Sequence, residues 1–172
     1  TEARATMAKN WIAENGVLTG AADGGTIGSA KNYENFELIL DWKTEGEAAM
    51  GIRSIPQIAL GGKNSGALTG NMLHDNAAPK AAANGPQEWN TMQVKVVSDR
   101  VTVVLNGVTT AENVILENAC NREIPAYAEG QILLIAGNAP LNVREMYIRE
   151  LPATPRFELS EEEAADGFEV LF

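Results

Sequence analysis

Glu37, Asp41 and Lys43 alternate with Phe36, Leu38, Leu40 and Trp42. A period of two sends the two sets to opposite faces of a β-strand. The segment Tyr33–Lys43 therefore buries an apolar face and presents two carboxyl groups and an ammonium on the other. Arg53 and Gln57, on the next strand-like pieces, are expected beside them. If the sheet curves, such an outer face can meet sugar hydroxyls, and glycoside chemistry commonly uses two carboxyl groups at close range. Asp41 and Glu37 are thus the candidate catalytic groups. The plainer reading is a solvated face of ordinary ion pairs, each worth little.

Other chemistries find less support. Gly61-Gly62-Lys63-Asn64-Ser65-Gly66 lacks the Gly-Lys-Ser/Thr step and the following helix that a phosphate loop requires. No Gly-x-Ser-x-Gly elbow is present. His74 is the single histidine and Cys120 the single cysteine, which leaves no set for a zinc site. No cofactor or metal is expected. Cys120 reads as a buried thiol. The net charge of −10 repels phosphate backbones, so nucleic acid is not expected as a partner. No apolar run is long enough to span a bilayer.

The elements that position these residues read as strands throughout. Asn15-Gly16 joins Trp11–Glu14 to Val17–Gly20 as a hairpin. Thr26–Ala30, Ala48–Arg53, Gln57–Leu60 and Ala67–Thr69 are short strand candidates. Trp89–Val97 alternates, Ser98-Asp99 turns, and Val101, Val103 and Leu105 answer before Asn106-Gly107 turns again. Val108–Leu116, Gln131–Ala136 and Val143–Leu151 follow. In the last of these, Val143, Glu145, Tyr147 and Arg149 are expected on one face, with Arg144, Met146 and Ile148 on the other. Trp42 and Trp89 read as structural. Ten to twelve short strands with no long amphipathic helix predict an all-β sandwich. Residues 1–10 form an arm and 11–152 the domain. Residues 153–172 join an acidic linker to a strand candidate, Gly167-Phe168-Glu169-Val170-Leu171-Phe172.

Three stretches carry a family resemblance. They are Trp11–Gly20 with Tyr33–Leu38, Gly51-Ile52-Arg53 with Pro56-Gln57-Ile58, and Glu88–Thr91 with Arg100–Gly107 and Tyr147–Leu151. In this order the chain resembles the 3-keto-disaccharide hydrolase domain family. The resemblance implies a concanavalin-A-like jelly roll of two antiparallel sheets. It implies a secreted or periplasmic enzyme that breaks down oxidised glycosides by hydrolase, lyase or hydratase chemistry. Arg53 and Lys80 would bind substrate oxygens, and Gln57 and His74 would line the site. Two positions depart from the pattern. Ala59-Leu60-Gly61-Gly62 stands where an acidic residue is usual, and Ala136-Gly137-Asn138 where a histidine turn is usual. A non-catalytic carbohydrate-binding or scaffold module, paired with an active copy, is therefore the alternative. Gly167–Phe172 is similar to the strand that opens such domains. This suggests a second copy in the same polypeptide, or a strand that completes this sheet.

Overall fold

The computed structural model describes residues 10–53, 55–69, 82–118, 120–121, 123–154 and 160–167. Among them are β1 (Trp11–Glu14), β2 (Val17–Gly20), β3 (Gly25–Gly28), β4 (Phe36–Lys43), β5 (Ala48–Gly51) and β6 (Gln57–Leu60). These are followed by β7 (Leu68–Thr69), β8 (Asn90–Val97), β9 (Arg100–Leu105), β10 (Val108–Ile115), β11 (Leu133–Ala136) and β12 (Leu141–Glu150). One short helix spans Glu161–Ala165.

The strands form two antiparallel sheets. One runs β1-β2-β12-β4-β8-β9-β10, the other β3-β11-β5-β6-β7. Consecutive strands often belong to different sheets: β4 lies in the larger, β5 to β7 in the smaller, and β8 to β10 in the larger again. This is the expected jelly-roll sandwich. Phe36, Leu38, Leu40 and Trp42 of β4 face inward with Met92, Val94 and Val96 of β8 and Val101, Val103 and Leu105 of β9. Met50, Ile58, Leu60 and Leu134 meet them from the smaller sheet. Their removal from water is the main favourable term holding the sheets together.

The turns follow local chemistry. Asn15 and Gly16 have φ of 51° and 77°, and Asn106 and Gly107 of 49° and 81°. Successive left-handed residues suit the right-handed twist of a tight hairpin. Asn106 also locks its turn through side-chain bonds. Its Oδ1 accepts from Thr91 N at 2.9 Å, and its Nδ2 donates to Ala82 O and Asn90 Oδ1, both at 2.8 Å.

Gly61 ends β6 at φ 77°, and a Cβ there would sit 2.0 Å from the Gly46 carbonyl oxygen. Backbone cannot yield as a flexible side chain would. Gly61→Ala is expected to destabilise the domain by about 2–4 kcal/mol, read as a lower urea midpoint at unchanged slope.

β12 departs from the expected alternation. Arg144 pairs with Asp41 but Tyr147 with Ile39, so two residues, Glu145 and Met146, oppose Leu40. Glu145 takes φ 48°. This is a β-bulge, which adds one residue and reverses the side-chain parity beyond it. Arg144, Tyr147 and Arg149 consequently share the outer face, opposite Asp41, Ile39 and Glu37.

Cys120 is exposed, which corrects the expectation of a buried thiol. It sits in the β10–β11 connection, where its N–H donates to Asn118 Oδ1 at 3.2 Å. The loop backbone thus folds around Asn118 and leaves the thiol outside.

Candidate functional site on the seven-stranded sheet

The outer face of the larger sheet carries a band of charge. β4 supplies Glu37, Asp41 and Lys43, β8 supplies Thr91 and Lys95, and β12 supplies Asn142, Arg144, Tyr147 and Arg149. Asp41 is the most enclosed carboxylate of the band, with a side chain 18% exposed. Its Oδ2 accepts from Arg144 Nε at 3.2 Å and its Oδ1 from Thr91 Oγ1 at 2.6 Å. The Arg144 guanidinium in turn lies 3.9 Å from the centre of the Trp89 ring, and Lys43 Nζ lies 5.0 Å from it. A ring with a negative face favours both cations. Asp41, Thr91, Arg144, Lys43 and half-buried Trp89 therefore form one cluster.

Glu37 lies at the other end of the band. It accepts from Arg149 Nε at 3.0 Å and meets Lys95 Nζ at 3.4 Å. The hydrogen bond from Arg149 is the largest of the influences that hold its carboxyl below the usual range. Glu37 is four residues from Asp41 on β4, or about 13 Å along an extended strand. Carboxyl pairs of ordinary glycosidases stand roughly 5–9.5 Å apart, and one of them must keep a raised pKa to act as acid. Glu37 is shifted the other way.

The sign of that shift sets a pH dependence. A carboxylate with a depressed folded-state pKa stabilises the fold above its unfolded value and loses this as pH falls through the folded one. Lowering the pH below the ordinary carboxylate range is thus expected to destabilise wild type slightly more than Glu37→Gln, as thermal midpoints would record. The effect is small because the pair is solvated.

The remaining expected site residues are not in this cluster. Arg53 lies in the connection from β5 to β6, and Gln57 opens β6, a strand of the smaller sheet. The sequence reading placed them beside Glu37 and Asp41; the sheet order separates them, because the chain changes sheets between β4 and β5. Arg53 is only 3% exposed. It donates from Nε to Glu34 O at 3.0 Å, from one terminal nitrogen to Tyr127 O at 3.3 Å, and from the other to Glu34 O and Asn35 Oδ1. Burial lowers its pKa, and these acceptors satisfy its donors. It pins two loops to the start of β4. His74 and Lys80 lie outside the described residues.

Two members of the cluster escaped the sequence reading. Trp89 reads from the sequence as structural, and uninterrupted alternation separates Arg144 from Tyr147 and Arg149. The bulge at Glu145 shifts the register beyond Arg144 and brings the three onto one face, and no glycine marks it. Among the described residues, no three His, Cys, Asp or Glu side chains are grouped to hold a metal ion. No described helix is long and apolar enough to cross a membrane.

Two packed antiparallel sheets with this strand order define a jelly-roll β-sandwich, and solved structures share it. A "putative glycosyl hydrolase" from Parabacteroides distasonis superposes with a TM-score of 0.66 at 23% identity, covering 83% of this chain and 91% of that one. The carbohydrate-binding module CBM66 from Bacillus subtilis gives a TM-score of 0.60 at 15% identity, covering 81% and 91%. SCLam, a non-specific endo-β-1,3(4)-glucanase of family GH16, gives 0.52 at 11% identity, covering 83% and 75%. At these identities the likeness is one of fold. No match was found among curated proteins. Residues 2–149 match the 3-keto-alpha-glucoside-1,2-lyase-like domain, and the chain belongs to that family.

Proposed function

We propose that this chain acts on 3-keto-glycosides by elimination, with Asp41 as the base. The observation that carries the reading is the Asp41–Arg144–Trp89 cluster on an outward-facing sheet. A ketone at C3 acidifies the proton on C2. Asp41 would take that proton, the electron pair would form the C1–C2 double bond, and the C1–O bond would break. The departing oxygen takes a proton from water. Negative charge develops on the C3 oxygen as the proton leaves, and the Arg144 guanidinium and the Lys43 ammonium supply positive charge to oppose it. Trp89 offers an apolar edge for a sugar ring. Water added across the double bond would complete net hydrolysis.

This assignment uses one carboxylate, so the distance to Glu37 and its depressed pKa do not oppose it. Glu37, with Arg149 and Lys95, orders the neighbouring part of the face. Lys80, which matches a polar position of the family pattern, and His74, the single histidine, remain substrate-binding candidates. Arg53 and Gln57 would support the domain from the other sheet.

One observation favours a second reading. Both carboxylates of the band already hold cations, as they would in a module that binds sugar without turning it over. Incubation of the chain with an aryl 3-keto-glucoside, following release of the phenol, separates the two. Release above the buffer rate supports elimination. Saccharide binding by calorimetry without release supports the module. Neither turnover nor binding would overturn both.

A further inference from the structure

The cations beside Asp41 are not spread evenly around it. Lys43 is two residues further along β4, and the Arg144 guanidinium lies over Trp89, the ring that Lys43 also approaches. Trp89 directly precedes Asn90, the partner of Trp42 in the register between β4 and β8. Positive charge is thus gathered toward the Lys43 end of the cluster. In a 3-keto-glycoside, C2 carries the proton that leaves, C3 the oxygen that becomes negative, and C1 the bond that breaks. C1 and C3 flank C2. With the C3 oxygen drawn to Lys43 and Arg144, C1 and its leaving group point the other way along β4, toward Ile39.

That end of the face is built differently. Ile39 and Tyr147 are partners across β4 and β12, set between the Asp41–Arg144 pair and the Glu37–Arg149 pair. They are 44% and 62% exposed. Apolar surface rimmed by polar groups marks a binding surface. Tyr147 shares this face because of the bulge, and its hydroxyl donates to the carboxylate of Glu145, the bulge residue, which restrains the ring. Gln93 of β8, opposite Ile39, adds an amide beside it. Ile39 is two residues from Asp41, about 7 Å along the strand, and Glu37 is as far again. The space suits one ring.

We propose that Ile39 and Tyr147 form the leaving-group site, and that it favours a leaving group with a ring, whose apolar face stacks on Tyr147. This rests on the reading of Asp41 as the base of an elimination.

Benzyl and methyl 3-keto-glucosides test it. Their leaving alcohols are of similar acidity, so the ratio of the two kcat/KM values reports contact with the ring rather than leaving ability. The benzyl compound is expected to be preferred about tenfold, the worth of one buried aromatic contact. Tyr147→Ser should abolish the preference, Ile39→Thr should reduce it, and Tyr147→Phe should keep it. Both side chains are exposed, so the variants are expected to fold, as thermal midpoints will check. Equal kcat/KM values for the two glycosides in the wild type would overturn the leaving-group site and leave Asp41 as the base. A preference that survives Tyr147→Ser would do the same. Turnover of neither glycoside would overturn the elimination, and this site with it.

Discussion

Asp41→Asn is expected to lower turnover of a 3-keto-glycoside by roughly a hundred- to ten-thousand-fold, the usual worth of a positioned base. The side chains are nearly the same size, and an amide oxygen can still accept from Thr91 Oγ1, which lies 2.6 Å from the carboxylate. Only the proton-accepting capacity and the charge opposite Arg144 are lost. The pair is partly solvated, so the fold should suffer by less than about 1 kcal/mol. Initial rates and thermal midpoints measured on the same preparation separate the two effects. A variant that keeps full activity would remove Asp41 from the reaction. Glu37→Gln serves as the control: it removes the other carboxylate of the face and should leave the rate within a few-fold.

Asn35→Ala is expected to have the largest effect on stability among single substitutions near the site. Asn35 is 3% exposed and uses both ends of its amide. Nδ2 donates to Pro152 O at 2.7 Å and Thr154 Oγ1 at 3.0 Å. Oδ1 accepts from Ser98 N at 2.8 Å and from Arg53 at 3.3 Å. One side chain thus ties the start of β4 to the β8–β9 turn, to the exit from β12 and to the buried guanidinium. Removing it orphans several buried polar groups at about 1–3 kcal/mol each, partly relieved by water. We expect a net loss of about 3 kcal/mol, or roughly 6–12 °C in Tm for a domain of this size. Calorimetry on the variant checks it, and a change below about 1 kcal/mol would show that water replaces the amide fully.

Much of this architecture can be read from residue order alone. The alternation in β4 and β8 gives the strands and their buried faces. Asn15-Gly16, Ser98-Asp99 and Asn106-Gly107 mark hairpins because their chemistry determines what the backbone can do locally. Placing Trp42 in the core follows from its face-mates. What could not be read is which strands share a sheet. Arg53 follows Asp41 by twelve residues, yet the chain has changed layers between them, and no local signal records that crossing. An arginine expected to contact substrate is instead the donor that closes loops. Trp89 and Arg144 were missed for a related reason: their meeting depends on register between β8, β4 and β12. The extra residue in β12, which brings Tyr147 and Arg149 onto the face of Arg144, falls at Glu145, a residue type with no preference for positive φ.

That extra residue makes β12 tolerant of one particular loss. Excising Glu145 would leave Met146 alone opposite Leu40, with Tyr147, Ile148 and Arg149 still opposite Ile39, Leu38 and Glu37. Every downstream side chain would keep its face, and Glu37 its guanidinium. One alanine inserted after Tyr147 would instead drive Arg149 toward the interior and Ile148 out into water. Parallel expression should therefore give soluble protein from the deletion and insoluble protein from the insertion.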